Sequence, residues 1–171
     1  MMMADHVSAV CLSGYYQLRQ LRCVVQSLTS NVAKTLVHAF VSCRLDYCNT
    51  LLYGVADGQL QRLQSDRNTA ARLVSVTWRS EHITPILKSL TWLPIHQRIT
   101  FKLATLVQNC MNGRVPVYLS DDCQLVSRRQ TRSATAAFLD VPRASTSLGS
   151  RMVSVAGPRT WNSLPITMRN S

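Results

Sequence analysis

Apolar residues recur through the first thirty positions at Val7, Cys11, Gly14, Leu18, Leu21, Val25 and Leu28, in alternating steps of four and three. This is one stripe of an α-helix and predicts a helix over about residues 4–27. Gly14 lies on the stripe and, lacking a Cβ, permits a partner helix to come close. Arg19, Arg22 and Cys23 fall on the opposite face. Leu28-Thr29-Ser30-Asn31 interrupts the pattern and offers Thr29 or Ser30 as an N-cap. A second helix is predicted over about 31–45 with Val32, Leu36, Phe40 and Cys43 inward. The short connection makes the pair an antiparallel hairpin.

Leu51-Leu52-Tyr53-Gly54 ends a short helical piece, with Gly54 as its C-cap. A third long helix is predicted from Asp57, as its cap, to Val76, with Leu60, Leu63, Ala70 and Leu73 inward. Asp66 falls on that stripe, where a carboxylate is costly unless paired, and Arg62 is its expected partner. A short helix around 82–90 holds Pro85 in its first turn. Trp92-Leu93-Pro94 is a turn, and Pro94 opens a helix over about 94–112. Ile95, Ile99, Leu103, Leu106 and Cys110 form that helix's face, and Gly113 ends it. Beyond residue 127 the helical period fades. Phe138–Val141 and Met152–Val155 are expected to pair as short strands, and Pro158 to start a single turn that docks Trp161. The expected fold is mainly α, a hairpin or bundle of about five to six helices over residues 1–126. The C-terminal segment, 127–171, is expected to contain a small β-hairpin.

Charge adds a direction to this picture. The 171 residues carry a net charge of +11 with 46% hydrophobic content, so the chain can bury a core and needs no disulfide framework. Sixteen of the 19 basic residues are Arg, whose planar fork suits phosphate and stacks on bases. Residues 1–126 hold 12 basic and 7 acidic residues, whereas residues 127–171 hold 7 basic residues and the single acid Asp140. The latter segment includes Arg128, Arg129, Arg132, Arg143, Arg151 and Arg159 and can pair with phosphates non-specifically. A solvated tail is the plainer reading of the same charges.

Catalytic patterns are missing. No phosphate-cradling glycine loop, nucleophile elbow or H-E-x-x-H occurs. Asp121-Asp122 reads as a turn, and His6, His38, His82 and His96 read as packed or solvent-facing histidines and not as bases. His38, Cys43 and Cys48 stand five apart, which spreads them about 140° per step around a helix, so they do not converge on zinc. No secretion signal and no membrane-spanning apolar run are present, so reduced thiols and an intracellular location are expected. Trp92, Phe101, Phe40 and Tyr53 read as packing residues. Tyr15 and Tyr16 sit beside Arg19 and can stack on bases, although Tyr15 borders the apolar stripe and packing suits it better.

Several blocks, taken in order, carry a resemblance. They include 15–22 (Tyr-Tyr-Gln-Leu-Arg-Gln-Leu-Arg), 33–41, Arg44-Leu45-Asp46-Tyr47-Cys48-Asn49, 60–65, Ala70-Ala71-Arg72-Leu73-Val74, 82–87 (His-Ile-Thr-Pro-Ile-Leu), Trp92-Leu93-Pro94-Ile95, Arg98-Ile99, Phe101-Lys102-Leu103 and 156–165 (Ala-Gly-Pro-Arg-Thr-Trp-Asn-Ser-Leu-Pro). Together they resemble the C-terminal part of the open-reading-frame-2 polyprotein of LINE-type, non-LTR retrotransposons of the jockey-like group, over about residues 6–168. In that family this stretch follows the polymerase palm and looks like the helical thumb and the region after it. The resemblance implies a grip on template–primer RNA or DNA and contact with a palm-bearing polymerase segment, with no cofactor and no small-molecule substrate. The palm's F/Y-A-D-D carboxylates, which bind the catalytic metals, do not occur here, so no enzymatic activity is expected. Candidate contacts are Arg19, Arg22, Lys34 and Arg44 in the helical part and Arg128, Arg129, Arg132, Arg143 and Arg159 beyond it. Asp66, Thr69 and Cys23 depart from the family's usual apolar, small and basic residues. Two further readings stay open: a helical protein-interaction module, and a translated retroelement remnant with no selected role.

Overall fold

The computed structural model describes residues 3–47, 49–125 and 138–169, with Ser42 and Leu45 described by their backbone alone. The chain is mainly helical. It divides into two compact units, Met1–Asn49 with Val55–Arg98, and Thr50–Gly54 with Ile99–Ser171. The second unit thus takes in residues from 99 onward together with Thr50–Gly54, whereas the charge balance changes at 126. Charge density tracks the surface, and the second unit's core draws on apolar residues that begin well before the Arg-rich stretch.

In the first unit, α1 (Met3–Val25) buries Val7, Cys11, Gly14, Leu18, Leu21 and Val25, the stripe its sequence predicts. α2 (Ser30–Val37) follows a turn capped in position by Thr29, whose side chain makes no capping bond. It continues through a π-turn (His38–Ser42) into α3 (Cys43–Asp46). The buried residues are Ala33, Val37 and Val41, one position off the predicted set, while Val32 and Phe40 are 45% and 41% exposed. Two four-spaced stripes compete in this segment. The π-turn, in which the Cys43 N–H bonds back to the His38 carbonyl, winds wide enough to hold Val41 beneath Val37.

α4 (Asp57–Ser75) packs on α1. Its N-cap position is Ala56, not Asp57, and Asp57 lies in the first turn, where its charge suits the helix dipole. The two helices run parallel, because Arg62 Nη1 donates to Ser8 Oγ at 3.1 Å and Asp66 lies against Cys11 and Gly14. A Cβ at Gly14 would meet Asp66 Oδ2 at 3.4 Å, a contact and not a clash, so the glycine eases the approach without being required for it. The inward face of α4 is Leu63, Arg67, Ala70, Ala71 and Val74. An arginine therefore occupies the centre of the stripe, and Asp66 sits half-buried on its flank.

Arg67 is 1% exposed. Its guanidinium lies 5.2 Å from the centroid of the Trp92 ring, a cation–π contact out of water. Nearby, Arg98 and Asp46 form a two-pronged ion pair that is itself mostly buried. Burial, and then the like charge of Arg98, push the Arg67 guanidinium down to about 10, while Asp46 pulls the other way. α5 (Ile83–Ser89) adds Ile86 and Leu87, which pack with Ala71 and bring Trp92 beside α4. The first backbone N–H of α6 (Ile95–Met111) donates to Gln64 Oε1 at 2.8 Å, which satisfies one of its orphan donors.

In the second unit, α6 supplies Val107 and Cys110 to a core with Cys123, Leu139 and Trp161. Val107 replaces the predicted Leu106 as the fully buried residue on this face. Gly113 ends the helix with φ +64. α7 (Val117–Ser120) is a single turn. The expected strand pair does not form. Met152 is the N-cap of α8 (Val153–Ser163), and among the described residues there is no strand, only an isolated antiparallel bridge between Leu125 and Leu139. A four-residue segment with three apolar residues fits a strand or a first helical turn equally well, and here the helix prevails. Its residue Asn162 clamps Leu139, accepting from its N–H and donating to its carbonyl, both at 2.9 Å. α8 also runs through Pro158 instead of starting there, and Trp161 is buried on it. α9 (Ile166–Arg169) closes the described chain.

The buried charges of the first unit give a direct test. Asp46→Ala leaves two inward guanidiniums without a carboxylate and is expected to cost about 3–5 kcal/mol. Arg67→Met keeps the volume and removes the charge, and is expected to be neutral or to stabilise by about 1–4 kcal/mol. Urea unfolding midpoints of the two variants, at unchanged slope, measure both.

Candidate nucleic-acid interface

The stripe that α1 buries leaves its other face to solvent. Tyr15 and Tyr16 are 63% and 59% exposed, which corrects the expectation that Tyr15 packs inward. Leu12, Arg19, Arg22 and Cys23 are exposed with them. At 100° per residue, Tyr15, Arg19 and Arg22 share one flank of the helix with Ser8, all within about 60° of one another. Arg62 of α4 reaches Ser8 on this flank. A row of cations thus runs from Arg62 to Arg19, which lies about 16 Å further along the axis, and on to Arg22. Among the described residues, neither Arg19 nor Arg22 meets a carboxylate.

Within the first unit, Lys34 and Arg44 do not join this row. Arg44 donates to Ser13 Oγ, about 120° around α1 from Arg19, on the flank that faces α3. Lys34 lines an open groove of about 460 Å³ with Thr35 and His38, whose far wall is formed by residues 89–92. Arg143 and Arg159 are exposed in the second unit. Arg128, Arg129 and Arg132 lie outside the described residues. Sequence reasoning passed over Arg62 as a surface cation by assigning it to Asp66, and it passed over Arg67 altogether. The signal for Arg67 was its position four residues after Leu63 and three before Ala70, squarely on an alternative apolar stripe. Phe40 and Phe101, read as packing residues, are exposed as well.

Two carboxylates are drawn inward. Asp46 is taken up by Arg98. Asp66 accepts a hydrogen bond from the Cys11 thiol. Burial raises the Asp66 carboxyl above its ordinary range, and the Cys11 bond and the Arg62 charge only partly offset this. Burial, and then the Asp66 carboxylate, push the Cys11 thiol up to about 11. In the second unit, burial and the neighbouring Cys110 push the Cys123 thiol up to about 12. Such thiols hold their protons at neutral pH and are poor nucleophiles. Among the described residues, no three His, Cys, Asp or Glu side chains gather as a metal site, and no helix is long and apolar enough to cross a membrane. The arrangement on α1 is suited to holding a polyanion by charge and stacking.

No protein-family profile matches the chain, and no curated protein or solved structure matches it.

Asp66 makes stability depend on pH. A carboxyl whose pKa is higher in the folded than in the unfolded state contributes stability below its ordinary value of 3.8, and that contribution is lost as pH rises through the folded value. The difference in unfolding free energy between the wild-type chain and Asp66→Asn is therefore expected to shift in favour of the variant as pH rises from about 4 to neutral. Parallel urea titrations across that range measure it.

Proposed function

We propose that the chain is a non-catalytic, nucleic-acid-gripping piece of a non-LTR retrotransposon reverse transcriptase, with α1 presenting its contact surface to template–primer RNA or DNA. The observation that carries this reading is the outward flank of α1, where Tyr15 and Tyr16 stand in solvent beside Arg19 and Arg22, neither of which meets a carboxylate among the described residues. Phosphates would pair with Arg19, Arg22 and Arg62, and exposed bases would stack on the tyrosines. The resemblance of the sequence blocks supports the same reading, and a palm-bearing segment is the partner it implies. Arg143, Arg159 and the arginines at 128, 129 and 132 would add sequence-independent affinity. Lys34 and Arg44 are separate contacts in this reading and do not belong to the central row.

Leu12, exposed beside the two tyrosines, favours a second reading in which the same flank docks a protein helix. The two readings differ in their salt dependence. Oligonucleotide affinity of the wild-type chain is expected to fall with salt along a log–log slope of roughly −0.7 to −0.9 per neutralised phosphate. Reversing both charges in Arg19→Glu/Arg22→Glu is expected to flatten that slope by about 1.4 to 1.8. An unchanged slope places the contact elsewhere. Self-association with no oligonucleotide binding, even in dilute buffer, selects the protein-docking reading.

A further inference from the structure

The segment between α4 and α5 is a built loop whose organisation serves no core. Val76 ends α4 with φ +51, in the left-handed region that a β-branched residue rarely adopts. The Thr77 N–H returns to the Arg72 carbonyl at 3.2 Å. The Arg72 guanidinium then spreads beneath the loop. It donates to the Glu81 carbonyl at 2.8 Å and, more loosely, to those of Trp78 at 3.4 Å and Arg79 at 3.5 Å. The Trp78 N–H donates to Glu81 Oε1 at 3.0 Å, and the Trp78 carbonyl accepts from the Glu81 N–H at 3.2 Å. The backbone of Trp78 is thereby held at both of its polar groups.

The side chain so fixed is in water. The Trp78 indole is 80% exposed, whereas Trp161 is buried and Trp92 is packed against Arg67. Strained backbone persists where its surroundings over-determine it, and such places cluster at binding sites. Here the surroundings position an aromatic face that nothing among the described residues covers. Its electrostatic setting selects an anion. Arg79 is exposed next to it, the Arg72 guanidinium lies below, and the nearest carboxylate, Glu81, is turned onto the Trp78 N–H. Because α4 runs parallel to α1, the loop also leaves the unit at the end where α1 carries Arg19 and Arg22.

We propose that Trp78 is a stacking platform for an unpaired base of a single-stranded nucleic acid, with Arg79 on the adjoining phosphate. The proposal rests on the nucleic-acid reading above and refines it. A base inside a duplex offers no free face, so the platform discriminates single strands and frayed ends from continuous duplex. Stacking carries little charge, so it contributes affinity without adding to the salt dependence.

The test uses the full chain, a 20-nucleotide oligothymidylate and a blunt DNA duplex. Oligothymidylate is expected to quench the exposed tryptophan emission and to shield it from acrylamide. Trp78→Ala is expected to lose about 5- to 150-fold in affinity for the single strand, with its salt slope unchanged and duplex affinity nearly unchanged. Trp78→Phe, which keeps a ring, is expected to recover most of the loss. Single-strand affinity within twofold of wild type in Trp78→Ala overturns the proposal, as does an equal loss on both substrates or a loss that Trp78→Phe does not relieve. If that happens while Arg19→Glu/Arg22→Glu still flattens the slope, the platform is wrong and the nucleic-acid reading stands. If the wild-type chain binds neither substrate in dilute buffer, both fall.

Discussion

The first unit is organised around a charge that it cannot release. Arg67 stays protonated at neutral pH and has almost no contact with water, so the surrounding elements must compensate for its desolvation. Trp92 provides a π face on one side. The Asp46 carboxylate provides the nearby negative charge, which it shares with Arg98. These groups come from α3, α4, the turn after α5 and the start of α6, so one guanidinium depends on four separate stretches of chain being in place at once. Apolar packing alone would tolerate a range of helix rotations. An uncompensated buried cation would not, and this couples the helices more tightly than their apolar contacts do.

A similar division separates the groups turned inward from those left at the surface. Asp46 and Asp66 are committed to internal partners, and Cys11, Cys110 and Cys123 are buried, with the Cys11 and Cys123 thiols holding their protons. The unpaired cations and uncovered aromatic rings, by contrast, face outward. In the proposed reading, a polymer carrying regular negative charge and flat apolar rings would complement that combination, and weak contacts spread along a helix and a loop would sum to useful affinity without any single deep pocket.

Legibility from the sequence follows the length of each periodic run. Six turns of α1 leave one solution for its buried face, and the stripe from Val7 to Val25 is recovered residue for residue. In α2, two stripes one residue apart fit equally well, and the structure buries the other one; in α4 the expected Leu63 and Ala70 are buried, but Arg67, Ala71 and Val74 join them in place of Leu60 and Leu73. For α2 the arbiter is a π-turn that no local propensity signals. For α4 it is an arginine occupying a place that the pattern reserves for apolar residues. The candidate cations were legible as exposed charges, yet their grouping was not. Whether Arg44 lies beside Arg19 or around the helix from it is decided by which flank of α1 each neighbouring helix covers. Trp78 was passed over because an isolated aromatic in a short connection carries no period at all.

The clamp of Asn162 on Leu139 has a consequence for the behaviour of the chain in concentrated solution. An extended segment with a vacant row of amides and carbonyls invites strands from other molecules to add to it. Here the amide of one helical side chain takes both backbone groups of Leu139, while the Asp140 N–H is engaged by the Gln124 carbonyl at 2.9 Å. The short stretch is closed to recruitment along both margins, and a fibre seeded there would first have to dislodge α8.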